Sequence, residues 1–219
     1  PGPPRGPSPW SAAPVAAPAL VARRSRWPGF LQMLAGAIGF ALVVAALRDG
    51  VGIAWSKVAF VELSTWVAQR PGWAPEVAAD LAVLTRPTLL CLVGGTVVLG
   101  SWARGGAGAG LRAAMLFAVA YFALMALLAS YAAPGEGFLG WVGTARFPAA
   151  PVFWAVLVWG RLFGVLGGAP MAVLGGLVGI AAGAGRVAVG DDAPVDAVAG
   201  VFAAIAVWGL ARWAVPGRR

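Results

Sequence analysis

Six stretches of almost unbroken apolar residues, 29–47, 78–102, 112–130, 149–167, 170–185 and 196–215, alternate along the chain with short polar or glycine-rich joints. A helix needs about 20 mostly apolar residues to cross the hydrocarbon of a bilayer, so each stretch is predicted to be a transmembrane helix. The second contains Arg86-Pro87, which is expected to kink it or to set its outer end at the interface. The fifth is short and holds Gly175, Gly179 and Gly183 at a spacing of four, with Gly176 beside them. Small residues on one helical face let helices approach closely in lipid, and packing inside the bundle is expected over a homodimer face. Residues 50–70, "GVGIAWSKVAFVELSTWVAQR", mix Lys57 and Glu62 with apolar residues and read as an interfacial helix.

Composition gives the same solvent. Hydrophobic residues make up 60% of the chain and charged ones 11%, against about 25% in an ordinary globular domain. The 24 or so charges such a chain carries cannot cover a water-facing surface of 219 residues. Residues 1–27, rich in Pro and Ala and ending in Arg23, Arg24 and Arg26, are predicted to be a disordered basic tail. The membrane domain is then 28–216. The apolar run after Arg26 is too long for a signal peptide and shows no clear cleavage site, so it is kept as a crossing. The chain does not begin with Met, and its true start is expected upstream.

The charges separate by loop. With the tail in the cytoplasm, six crossings put Arg5, Arg23, Arg24, Arg26, Arg104, Arg112, Arg161, Arg212, Arg218 and Arg219 inside. Outside lie Arg48, Lys57, Arg70, Arg86, Arg146 and Arg186, together with all eight acids. This positive-inside bias predicts a multi-pass protein of the cell membrane with both termini cytoplasmic. Trp27, Trp102, Trp141 and Trp213 fall at the ends of stretches and read as interfacial anchors.

Little chemistry is left to the chain. It has no histidine and one cysteine, Cys91, which excludes Ser–His and Cys–His catalysis, imidazole ligation and thiolate clusters. No Lys/Arg run with interleaved aromatics points to nucleic acid, and no cofactor or metal is expected. One charged cluster stands out, "GRVAVGDDAPVDAVAG" (185–200), in the outer loop between the last two stretches. Asp192 or Ala193 is expected to cap the last helix, with Pro194 in its first turn. Arg186 is expected to pair with Asp192 or Asp196. A divalent-cation site of Asp191, Asp192, Asp196 and Glu136 is a less favoured reading.

This cluster resembles the third signature of the type 2 phosphatidic acid phosphatases, in the vanadium haloperoxidase superfamily, SRxxxxxHxxxD followed by xxxG. Gly185 stands for the Ser, Arg186 for the Arg, Asp192 for the His, Asp196 for the Asp and Gly200 for the final Gly. The second signature, PSGH after phenylalanine, corresponds to "FPAAP" (147–151), where Phe147 and Pro148 are kept and Ala149, Ala150 and Pro151 replace Ser, Gly and His. The first, KxxxxxxRP, corresponds to "ALLASYAAP" (126–134), with Ala126 for the Lys, Ala133 for the Arg and Pro134 kept. Order and spacing fit over roughly 29–215. The resemblance implies an all-α bundle of six transmembrane helices of the lipid phosphatase type with an additional interfacial helix.

In the family a histidine attacks phosphorus, an aspartate orients it, a second histidine protonates the leaving oxygen and a set of cations neutralises the phosphoryl group. Only the orienting Asp196 and one phosphate-binding Arg186 remain here. The resemblance therefore implies a pseudo-phosphatase that binds a membrane lipid or a membrane protein partner, with Arg186 and Arg146 as candidates for a lipid headgroup. The alternatives are a residual or altered hydrolase of lipid phosphate or pyrophosphate, with Asp192 as an aspartyl nucleophile, and a structural subunit of a membrane assembly.

Overall fold

In the computed structural model Gly2 and residues 27–70, 72–131 and 147–214 are described. They form six helices and no strand: α1 (Trp27–Arg48), α2 (Val51–Ala68), α3 (Trp73–Val83), α4 (Pro87–Tyr131), α5 (Ala150–Ala188) and α6 (Pro194–Ala214). Helices α1, α4, α5 and α6 are long and apolar enough to cross a membrane. Apart from Gly2 and Trp27, the predicted tail lies outside the described residues.

Helices α4 and α5 contain 45 and 39 residues. Straight, they would run roughly 60–70 Å at 1.5 Å per residue, about twice the thickness of bilayer hydrocarbon. Neither is straight. Each breaks at a Gly-Gly-Ala triplet, and the two breaks share one conformation. Gly105 and Gly167 have φ −131° and −143°, and Gly106 and Gly168 have φ 70° and 76° with ψ −178° and −154°. That second conformation is essentially open to glycine alone, because a Cβ would collide with the backbone.

At both breaks the chain turns back. A Cβ on Gly110 would lie 2.8 Å from the Cβ of Trp102, and one on Gly94 would lie 3.9 Å from the ring of Phe117. In α5 a Cβ on Gly175 would fall on the Trp159 carbonyl, one on Gly179 would lie 2.5 Å from Val156 Cα, and one on Gly183 would lie 2.8 Å from Val152. The glycines at a spacing of four thus pack one arm of α5 against the other, as the internal-packing reading expects. Gly176 faces open space. Helix α1 runs antiparallel to α6 in the most extensive pairing of the molecule. There too glycine permits contact with backbone, Gly29 against Trp213, Gly36 against Ala206 and Gly209 against Met33.

The core lies where α4, α5 and α6 meet, with Leu124, Leu128, Phe153, Leu157, Ala204 and Val207 buried together. The outside is apolar as well. Leu42, Leu92, Leu99, Phe122 and Val173 are exposed on the long helices. Such a continuous apolar exterior is stable in lipid and a liability in water.

One boundary and one element differ from expectation. The second stretch does not begin at residue 78. Residues 78–83 belong to α3, and the apolar helix starts at Pro87. Proline has no N–H to give and disfavours helical geometry in the residue before it, so Leu84–Arg86 form a turn closed by bonds such as Thr85 N to Ala82 O, 3.1 Å. The connection after α1 therefore holds two helices, α2 over the expected 50–70 and the separate α3.

The pairings sort the molecule into two ends. One carries Arg48, α2, α3, the 84–86 turn, the start of α5 and the 189–193 loop. The other carries Trp27, both glycine turns and Arg212. Every acid among the described residues, Asp49, Glu62, Glu76, Asp80, Asp191, Asp192 and Asp196, belongs to the first end. We call it the acidic end and the other the basic end.

The contacts of Gly179 yield a direct test. Gly179→Leu should cost at least the 1–3 kcal/mol typical of overpacking, because the obstacle is backbone. Gly176→Ala, three residues away, should be neutral or gain up to about 1 kcal/mol from helix propensity. Thermal melts in detergent compare them, and equal melts would contradict the antiparallel packing of the α5 arms.

Candidate functional site

Helix α5 ends in a backbone motif that fixes the charged cluster. Gly190 takes φ +85°, its N–H bonds Val187 O at 3.1 Å, and Asp191 N–H bonds Arg186 O at 2.9 Å. These are the two hydrogen bonds of a Schellman C-cap, in which a residue after the glycine usually makes an apolar contact with one in the last turn. Here the two residues are Asp191 and Arg186, and their side chains form an ion pair, Nη1 to Oδ2, 3.4 Å. The motif that stops the helix thus brings an acid back onto its own arginine.

Asp192 does more. Arg186 Nε donates to Asp192 Oδ2 and Nη2 lies 3.5 Å from Oδ1, so guanidinium and carboxylate meet fork to fork. The remaining nitrogen, Nη1, reaches Thr85 Oγ1 at 3.4 Å. That hydroxyl gives its own proton to Ala82 O, 2.7 Å away, leaving its oxygen to accept. Thr85 is fully buried and Asp192 nearly so, whereas the side chain of Asp191 is 52% exposed. A charge at such depth needs a partner and full hydrogen bonding, and Arg186 has both. Thr85 sits in the Pro87 break between α3 and α4, and Trp159 ties that break to α5 by donating to Leu84 O at 3.1 Å.

Helix α6 begins at Pro194, which places Ala193 at its N-cap position and Asp196 in its first turn. Of the two expected caps it is Ala193 that stands there, because the Asp192 carboxylate is held by Arg186. Asp196 meets residues 147–151 through its backbone, since Ala149 N–H donates to Asp196 O at 3.0 Å. Gly200 permits this approach, for a Cβ there would lie 2.7 Å from Ala149 O. Residues 147–151 and 185–200, distant in sequence, therefore share one place at the acidic end. Ala126 is on the last turns of α4 and is exposed, outside the core that α4 shares with α5 and α6. Ala133, Glu136, Trp141 and Arg146 lie outside the described residues.

The side chains at the aligned positions are Ala126, Ala149, Pro151, Gly185 and Asp192, and only Asp192 among them can ionise. No group of three or more Asp, Glu or Cys close enough to hold a metal ion occurs among the described residues. Beside the cluster, between α2, α5 and α6, lies an apolar groove of about 530 Å³ lined by Trp55, Leu63, Val152, Ile180, Val187 and Val201, with Glu62 as its single ionisable residue. Arg186 is not part of its wall. Ser56 joins α2 to the site, its Oγ accepting from Val195 N–H at 3.3 Å.

The pair predicts an unequal response to substitution. Arg186→Ala leaves the Asp192 carboxylate buried with Asp191 beside it, and breaking a buried pair costs about 3–5 kcal/mol, less with water at the boundary. Replacing the set with neutral isosteres (Arg186→Gln, Asp191→Asn, Asp192→Asn) should cost much less. Melts in which the single and triple variants fall equally would contradict the pairing.

Compared with known protein families, characterised proteins and solved structures, the chain matches none.

Proposed function

We propose that this is a non-catalytic multi-pass membrane protein, built like a type 2 phosphatidic acid phosphatase whose phosphate site has been closed by its own side chain. The two glycine turns divide α4 and α5 into arms long enough to make four crossings, so that with α1 and α6 the bundle crosses six times. The charge sorting supports an orientation with the basic end, and both termini, in the cytoplasm.

One observation carries the reading. Arg186 stands where the family binds phosphate, and it is engaged by the carboxylate of Asp192, the residue in place of the family's nucleophile. A carboxylate bound fork to fork offers an arginine the same planar pair of oxygens that a phosphate offers, so the cation is satisfied from within. With alanine, proline or glycine at the other substituted positions, no side chain remains to attack phosphorus or protonate a leaving oxygen. Removing a single transition-state donor commonly costs two to three orders of magnitude in rate. The apolar groove beside the cluster is suited to a lipid acyl chain rather than to a phosphorylated headgroup.

An aspartyl-phosphate route through Asp192 is disfavoured by the same geometry. The carboxylate is tied to the one cation that an incoming phosphate would need, and Asp191 adds negative charge beside it.

Purified protein in detergent should release no inorganic phosphate from phosphatidate or a polyprenyl pyrophosphate above a protein-free blank. Release that disappears in Asp192→Ala would overturn the non-catalytic reading.

A further inference from the structure

At the basic end the charge arithmetic does not close. Helices α4 and α5 contain no acid, yet they carry Arg104, Arg112 and Arg161 toward their glycine turns. Arg161 is part-buried. Its Nε is sealed from solvent and has no acceptor among the described residues. Arg112, on the neighbouring arm, is near enough for the two charges to repel.

A second buried polar atom without a partner lies in the same layer. Arg104 Nη1 donates to Val165 O at 2.7 Å, which fixes the register between the first arms of α4 and α5. Ser101 is one turn before Arg104 and Arg161 about one turn before Val165, so both fall at one height. Ser101 Oγ is buried and unbonded. These two are the buried side-chain polar atoms without a partner among the described residues. Arg212, at the same end on α6, is by contrast satisfied by Gln32 Oε1 at 3.0 Å.

Two repelling guanidinium groups, one of them part-buried, and a buried hydroxyl require an acceptor with several oxygens and negative charge. We propose that Ser101, Arg104, Arg112 and Arg161 receive a phosphate group carried by an anionic lipid headgroup of the leaflet at the basic end. Arginine binds phosphate through its planar fork, and basic pockets between transmembrane helices bind anionic headgroups. The four residues lie toward the helix ends of that leaflet, where the phosphate of a lipid resides. The assignment does not depend on the resemblance to phosphatases, because the residues lie at the opposite end from Arg186.

The test uses the full chain in bilayer discs of phosphatidylcholine alone and of phosphatidylcholine with phosphatidylglycerol, read by thermal melting. A ligand that binds only the folded state raises the melting temperature. The anionic lipid should raise it by several degrees for the parent. Arg161→Gln and Arg112→Gln should each lose at least half of that rise, and Arg161→Gln should melt higher than the parent in phosphatidylcholine alone because repulsion is relieved. Arg212→Gln should keep the rise in full. If Arg161→Gln does not fold, the exposed Arg112→Gln decides alone. An equal rise in the Arg112 or Arg161 variants, or an equal loss in Arg212→Gln, would overturn the site in favour of general surface charge. A full rise in phosphatidylcholine discs on adding millimolar inorganic phosphate would overturn the lipid as its source.

Discussion

At Gly106 and Gly168 the backbone adopts a conformation that only glycine tolerates, and each of these residues reverses a helix that hydropathy alone would let run on. The reversals bring arms together so closely that a Cβ on Gly175 or Gly179 would strike the backbone of the facing arm. They also decide the electrostatics. Once α4 and α5 fold back, their arginines near the turns collect at one end of the bundle, and the acids of the connecting segments collect at the other. Lipid tolerates little charge in its interior, so this separation is a condition of the fold rather than an ornament on it.

The two ends then solve the problem of arginine in opposite ways. At the acidic end, Arg186 is brought against Asp191 by the cap of its own helix and against Asp192 by the short loop that follows, and Thr85 completes its hydrogen bonding. At the basic end no carboxylate is within the long helices, and Arg161 and Ser101 have buried polar atoms with no partner among the described residues. The first arginine is satisfied from within, and the second is proposed to take its anion from the membrane.

Much of this was legible in the sequence. The apolar stretches located the long helices, and the joints at 103–111 and 168–169 fell on the turns, because burial in lipid imposes a continuous pattern that short joints cannot hide. That Arg186 would pair with Asp192 or Asp196 followed from the need to neutralise charge near an apolar boundary, and the structure selects Asp192; the spacing of Gly175, Gly179 and Gly183 marked the face that packs. Other features were not legible for identifiable reasons. The separate helix α3 is as apolar as the stretch that follows it, so only the backbone demand of Pro87 divides them. The part played by Asp191 depends on the left-handed turn at Gly190, and that of Thr85 on which face of the 84–86 turn meets α5. The repeated Gly-Gly-Ala falls at glycine-rich joints, but its common geometry is a property of dihedral angles. That Ser101 and Arg161 lie at one height follows from the Arg104–Val165 bond, which no local spacing encodes.

The central proposal, that two glycine turns fold the chain into six crossings with the acids collected at one end, is tested most directly by which side of the membrane each turn and loop can be labelled from. In a Cys91→Ala background, single cysteines replace Ala107 and Ala169 just past the glycine turns, and Gln69 and Ala193 at the acidic end. All four positions are exposed. The account predicts that a membrane-impermeant thiol reagent reaches Ala107→Cys and Ala169→Cys from one side only, and Gln69→Cys and Ala193→Cys from the other side only. Labelling of either glycine-turn position from the same side as Ala193→Cys would contradict it.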